Sequence, residues 1–279
     1  MTRDWDPSFY KTGYEGYERP EQFPTRAALL DYRRLLLEKT EPQVAFIGRR
    51  LGARQLRVIE LGSGNGRLLV ALALAGLLER GVGVEISRSR SAFARAWATD
   101  LGLTTIEFVT GDALAFTAFD AASFDLAVCI TGAFNYFYPI SEQAPEQVLR
   151  TMRLALTPGG AALLELYQLP ERRRRMFALN DGRLRLWQPL PAEDRFAYYL
   201  DDLQYWADRQ VLKHEKTFIG RDGTIDSGRV EVLKYYAIDE ISALLTRAGY
   251  ATVSVHGDFT DAPYDPQTAA AQVLWARRD

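Results

Sequence analysis

The stretch Val58-Ile59-Glu60-Leu61-Gly62-Ser63-Gly64-Asn65-Gly66 decides the fold. A short, largely apolar run ends in three glycines at every second position, and the apolar spacing over 68–78 predicts a helix directly after them. Glycine allows a tight turn and close approach of a ligand to the backbone, and the following helix start offers free N–H groups. Such a strand–turn–helix unit suits a nucleotide-like ligand.

Outward from this unit the pattern repeats. Residues 56–61, 82–86, 106–110, 124–130 and 161–166 read as strands, and helices are expected after the first two and over 148–156. Strands that are apolar along nearly their whole length belong to a parallel sheet covered on both faces. The fold class expected is α/β with a doubly wound sheet. Beyond Pro170 the runs 184–187, 196–200, 211–219 and 228–236 are rich in aromatic and β-branched residues without intervening helices, and Asp222-Gly223 supplies a hairpin turn. They read as an antiparallel β insertion between strand five and the following helix. Asp239 is the expected cap of that helix and Gly249 its stop, with strands 251–256 and 272–275 completing the core sheet. The expected organisation is an aromatic N-terminal segment with helices over 1–50, a cofactor-binding core over 51–169, the insertion over 170–237, and a C-terminal helix and strand pair over 238–279. Arg172 to Arg175, the only charge run, reads as a solvated helix turn.

Composition narrows the function. Lys+Arg 34 against Asp+Glu 36 leaves a net charge of −2, without the basic excess that nucleic-acid binding needs. One cysteine, Cys129, permits neither an internal disulfide nor a cysteine zinc site, and two histidines do not make a metal centre, so no metal is expected. No apolar run approaches the roughly 18 residues of a membrane span, and the expected setting is cytoplasmic without a membrane partner.

The glycine turn differs from the dinucleotide pattern Gly-x-Gly-x-x-Gly, because its sixth position is Arg67. Glu60 beside the turn would repel a pyrophosphate and suits a cationic amino group. Glu85, about 20 residues on and ending the second strand, can accept both hydroxyls of an unsubstituted ribose. Asp112, ending the third, can accept from an adenine amino group. At these residues the sequence resembles the class I S-adenosylmethionine-dependent methyltransferases. The run 60–66 resembles that family's first motif, Glu85 with Ile86 its ribose-binding segment, Gly111-Asp112-Ala113 its adenine-binding segment, 124–128 its fourth strand, and 156–160 its turn into strand five. The likeness spans 56–166 and 238–277. It implies a seven-stranded Rossmann-like sheet with the last strand antiparallel, and a sulfonium held above strands one and four. It also implies cofactor contacts from Glu60, Gly62, Ser63 and Gly64, with Ile130 and Thr131 beside the methionyl part.

Thr131-Gly132-Ala133-Phe134-Asn135-Tyr136 departs from the Asp/Asn-Pro-Pro-Tyr/Phe pattern of enzymes that methylate exocyclic amines of bases or protein glutamine. The metal-binding acids of catechol-type relatives are replaced by Thr131 and by Leu166-Tyr167-Gln168. The expected reaction is therefore metal-independent methyl transfer from S-adenosylmethionine to a small molecule, leaving S-adenosylhomocysteine. The other readings are a non-methylating use of the cofactor, a binding module, and, less compatible with Glu60 and Arg67, a nicotinamide dehydrogenase. Nucleic acid is not an expected partner; a homodimer is the assembly considered. In-line displacement needs alignment and water exclusion, and a base only where the nucleophile arrives protonated. The catalytic candidates are His214, on an insertion strand, and Tyr14 and Asn135. Tyr10, Tyr14 and Tyr17 read as a cover that could shield the sulfonium and contact the methionyl carboxylate, Asn135 and Tyr136 as acceptor-site lining. His256 and Glu165 are weaker candidates. Replacing Glu85 with Ala should weaken binding of the adenosyl ligand by about 1–3 kcal/mol in a calorimetric titration, the usual cost of leaving polar partners unpaired.

Overall fold

The computed structural model describes residues 5–12, 15, 17–52, 54–192, 194 and 196–279. Strands β1 (Leu56–Leu61), β2 (Leu78–Glu85), β3 (Ile106–Thr110), β4 (Phe124–Cys129), β5 (Leu156–Tyr167), β10 (Tyr250–His256) and β11 (Ala271–Arg278) form one sheet in the order β10-β11-β5-β4-β1-β2-β3. The first five are parallel, and β11 runs antiparallel to both β5 and β10. The order reverses between β1 and β4. Ligands of doubly wound sheets bind in the crevice that this reversal opens at the strands' carboxyl ends.

Every residue of β4 is buried, as a strand covered on both faces requires. On one face Ile59, Leu61 and Ala127 pack with Val148 and Met152 of α6 (Ala144–Ala155) and Ile241 of α8 (Ile238–Arg247). On the other, Val58, Leu126 and Val128 meet Leu69 of α4 (Arg67–Leu74), Trp97 of α5 (Arg88–Asp100) and Phe46 of α3 (Glu41–Leu51). Strands β6 (Arg183–Pro189), β7 (Phe196–Trp206), β8 (Val211–Gly220) and β9 (Ile225–Lys234) make an antiparallel sheet in sequential order, with Asp222-Gly223 in the β8–β9 turn. A buried cluster of Phe9, Tyr136, Val211, Val232 and Leu233 joins three parts of the chain. They are α1 (Phe9–Thr12), the 3₁₀ turn Ala133–Tyr136 and this second sheet.

Three local readings need correction. The helix expected over 68–78 stops at Leu74, because Gly76 at φ +70° turns the chain and Leu78 already pairs in β2. The cap of α8 is Ala237, without a side-chain bond; Asp239 lies inside the first turn, where its charge favours the helix dipole. Strand β5 extends back to Leu156 through Pro158-Gly159-Gly160. By contrast, Thr25 caps α2 (Arg26–Glu38) by accepting from the Ala28 amide, as its sequence position implies. Arg172 to Arg175 lie on α7 (Glu171–Ala178), where Arg175 pairs with Glu171 one turn back.

Gly66 does the helix-packing work of the displaced third glycine. It starts α4 at φ +78°, and a Cβ there would stand 2.5 Å from the Phe108 ring and 2.8 Å from Ala94 Cβ. Gly66→Ala should cost roughly 2–4 kcal/mol, combining left-handed strain with overpacking, and chemical denaturation would show it as a lower midpoint with an unchanged slope.

Candidate active site

The carboxyl ends of β1, β2 and β4, with the segment after β3, surround a cavity of about 380 Å³. That volume lies in the range of small-molecule sites. Its floor is the turn 62–65, with Glu60 and Glu85 at its sides; Ile86, Gly111, Ala113, Ile130 and Thr131 also line it. Nearly all of the cofactor residues expected from sequence thus share one wall. Asp112 does not itself line the cavity. Its Oδ1 accepts from the Leu114 amide and from the Tyr10 hydroxyl.

Glu85 holds two turns in place. Its Oε2 accepts from the Gly64 amide at 2.8 Å and its Oε1 from the Ser87 amide at 2.9 Å. A carboxylate has about four lone-pair positions, so two remain for a ligand. Glu60 is different: it is 3% exposed, and its Oε2 has no hydrogen-bond partner among the described residues, nor has Ser63 Oγ. Burial pushes the Glu60 carboxyl up to about 8, with Glu85 adding to the rise and Arg67 and Arg90 opposing it. A buried polar atom without a partner is costly unless a ligand supplies one. The set therefore fits a ligand with a cationic amino group and polar hydroxyls.

The end of β4 is strained. Thr131 has φ +58° and Gly132 φ +70°, and a Cβ on Gly132 would stand 2.4 Å from the Tyr167 ring. Left-handed backbone at a β-branched residue persists only where surrounding bonds hold it, and it gathers at functional sites. Here the Thr131 amide donates to Glu165 Oε2 at 2.8 Å, the Gly132 amide to the Glu165 carbonyl, and Arg67 Nη2 to Thr131 Oγ1 at 2.9 Å. Burial raises the Glu165 carboxyl above its ordinary value, against the Thr131 amide and Arg67. Glu165 thus shapes the end of strand four.

The N-terminal segment closes one side. Glu18 accepts from Tyr32 and Asn65 on Oε1 and from Arg90 on Oε2, tying the segment to α2, the glycine turn and α5. Tyr10 lines the cavity; burial and the neighbouring Asp112 raise its hydroxyl well above the usual value. Tyr17 lies under the Arg229 guanidinium of β9. Tyr14 falls outside the described residues.

The structure places the other catalytic candidates away from the cavity wall. Asn135 is fully buried: its Nδ2 donates to the carbonyls of Lys234 at 2.6 Å and Tyr167 at 3.2 Å, and its Oδ1 accepts from the Tyr167 amide. It pins β9 to β5. His214 sits on β8 with Nε2 2.5 Å from Asp201 and 3.1 Å from the Tyr199 hydroxyl, and Glu231 stands between it and the cavity. His256 belongs to a separate cluster with Arg50 and Ser254. Sequence reading missed Glu18, Arg67, Arg90 and Glu231. Arg67 alone had a local signal, being the residue that breaks the dinucleotide pattern.

Residues 58–160 match the family model described as a methyltransferase domain. A protein of Geobacillus sp. (strain WCH70), provisionally named a methyltransferase, is 26% identical over 220 residues, covering 76% of this chain and 80% of that one. Among solved structures, the CcbJ methyltransferase of Streptomyces caelestis superposes with a TM-score of 0.69 at 20% identity, over 85% of this chain and 88% of that one. The S-adenosylmethionine-bound CalS10, an amino pentose methyltransferase of Micromonospora echinaspora, gives 0.64 at 19% identity, over 91% and 98%. The match over residues 58–160 and the fold shared with these solved enzymes support a class I S-adenosylmethionine-dependent methyltransferase. Among the described residues, no helix is long and apolar enough to cross a membrane.

The raised Glu60 carboxyl has a consequence for stability. The folded chain keeps that proton up to about pH 8, whereas the unfolded chain releases it near 4.5. The folded state therefore binds more protons between these values, and stability falls as pH rises through them. Glu60→Gln removes this loss, so melting curves from pH 4 to 8 should show the Tm difference, variant minus parent, growing by several degrees.

Proposed function

We propose that this cavity binds S-adenosylmethionine and that the protein transfers its methyl group to a small-molecule acceptor, an amine, hydroxyl or carbon of a metabolite or natural product. The observation that carries the reading is Glu60: a buried carboxylate oxygen without a partner, on the same wall as Glu85 and the glycine turn. In this reading Glu60 meets the methionyl amino group and the remaining lone pairs of Glu85 take the ribose hydroxyls. Gly111 and Ala113, on the cavity wall, face the adenine. The Arg67 guanidinium, fixed between Thr40 and Thr131, is placed to meet the methionyl carboxylate. Ile130 and Thr131 flank the sulfonium. A pyrophosphate in this position would face Glu60, which counts against a dinucleotide.

When bound, the cofactor supplies an electrophilic methyl carbon on a good leaving group. The chain's own task is alignment and exclusion of water. Phe9, Tyr10 and Phe137 roof the cavity with apolar surface, and the bonds of Glu165 and Arg67 fix the strand-four end against which an acceptor would sit. The small-molecule class is supported by the enclosed cavity, by the balanced charge, and by the likeness to an amino pentose methyltransferase.

Parallel calorimetric titrations with S-adenosylmethionine, S-adenosylhomocysteine and NAD test the reading. Micromolar affinity for the two adenosyl ligands and none for NAD is expected, with S-adenosylhomocysteine formed in step with a mass gain of one methyl group on an acceptor. Binding of NAD alone would overturn the assignment of the cavity.

A further inference from the structure

Glu231 is the one residue of the antiparallel sheet among those lining the cavity, and it enters beside Tyr136 and Ala133, just past the end of β4. It is 8% exposed. Its Oε1 accepts from Lys216 Nζ at 2.6 Å; its Oε2 accepts from the Tyr136 hydroxyl at a long 3.4 Å and lies 4.0 Å from His214 Nδ1. Directly opposite Glu231 in the β8–β9 register, His214 is held from behind by Asp201 and Tyr199. Burial works against the Asp201 charge, but hydrogen bonds from His214 and Tyr199 outweigh it and keep the carboxyl below its ordinary value.

We propose that the acceptor is an amine and that Glu231 receives it and takes its proton. The inference rests on the methyltransferase reading above. Glu231, its Oε1 held by Lys216, turns its other carboxylate oxygen toward this end of the cavity, and Glu165 lies on the neighbouring strand end. An incoming carboxylate or phosphate would be repelled there, and an alkoxide would have to form beside carboxylates. An ammonium is attracted. Lys216 holds one oxygen of Glu231 and so fixes the carboxylate, while the weakly engaged Oε2 remains able to accept a strong N–H bond.

The chemistry balances. The acceptor ammonium gives one proton to Glu231, and the freed nitrogen lone pair forms a C–N bond to the methyl carbon as the C–S bond breaks. The bonding pair stays on sulfur, which becomes a neutral thioether, and the product is a methylated ammonium. Glu231 then returns its proton to solvent. His214 does not touch the acceptor in this scheme and is a positioning residue for Glu231.

The test uses the full chain, Glu231→Gln, Glu231→Asp, and Glu215→Gln as a β8 control whose side chain lies outside the cavity lining. Each is first titrated with S-adenosylhomocysteine, then, saturated with it, with a panel of primary amines and their size-matched alcohols, and finally assayed for methylation. The expected result is that all four proteins bind S-adenosylhomocysteine within about threefold of one another, and that the parent binds and methylates amines and not the alcohols. Glu231→Gln should lose at least tenfold in amine affinity and about 10²–10⁴-fold in kcat/KM, the range for removal of a general base. Glu231→Asp keeps the charge and the Lys216 pair but withdraws the carboxylate by one methylene, so kcat should fall more than amine affinity, and the control should match the parent. Should Glu231→Gln fail to fold, the parent's choice between amine and alcohol and the Glu231→Asp result still decide. Methylation of alcohols in preference to amines, or unchanged amine binding and turnover in the Glu231 variants while S-adenosylhomocysteine still binds, would overturn the proposal and leave the methyltransferase reading intact. Absence of S-adenosylhomocysteine binding by the folded parent would overturn both.

Discussion

The Glu85 carboxylate, bonded to the amides of Gly64 and Ser87, is the constraint on which the site depends. It locks the β1–α4 turn to the β2–α5 turn, which are separate in sequence and converge at the carboxyl ends of neighbouring parallel strands. Charge-assisted bonds to backbone N–H groups are among the stronger hydrogen bonds in a protein, and here they hold loop amides at the mouth of the sheet. The cost of burying Glu85 is met by its two amide donors. The cost of burying Glu60 is not met within the described protein, and this asymmetry marks the cavity as a ligand site.

A second constraint acts at the end of β4. Thr131 and Gly132 adopt left-handed backbone because Glu165, Arg67 and the Tyr167 ring leave no alternative. Asn135 extends the same construction into the antiparallel sheet by bonding the Lys234 carbonyl. The strand-four end, strand five and β9 are therefore tied to one another by hydrogen bonds. Through them, Glu231 acquires a fixed position relative to the glycine turn without contacting it. The antiparallel sheet is thus coupled to the cavity wall by buried polar bonds, which lose more when broken than they contribute on formation.

Much of this was legible beforehand because the parallel sheet writes itself locally. Apolar runs such as 124–129, the alternate glycines of 62–66 and the acids ending β1 to β3 each carry their physical reason within a few residues. The same locality explains the errors. Asp239 has the chemistry of a cap, but the helix start is set by packing of α8 on the sheet. The apolar run over 68–78 cannot by itself say where helix gives way to strand. Asn135 and His214 have the right chemistry for catalysis, yet their orientation follows from partners 99 and 13 residues away, Lys234 and Asp201.

The sequence by itself determined the doubly wound core, the antiparallel insertion after strand five and most of the residues that line the cavity, since these follow from periodicity, turn chemistry and residues placed at strand ends. Only the tertiary structure decided which insertion residue reaches the cavity. Strand register and the seating of one sheet on another are long-range properties, and a shift of one residue would turn Glu231 away and bring its neighbours Val230 and Val232 toward the cavity instead. Tertiary structure also decided that Glu60 stands unpartnered while Glu85 does not, because the difference lies in the folded geometry of two similar carboxylates rather than in anything adjacent to them along the chain.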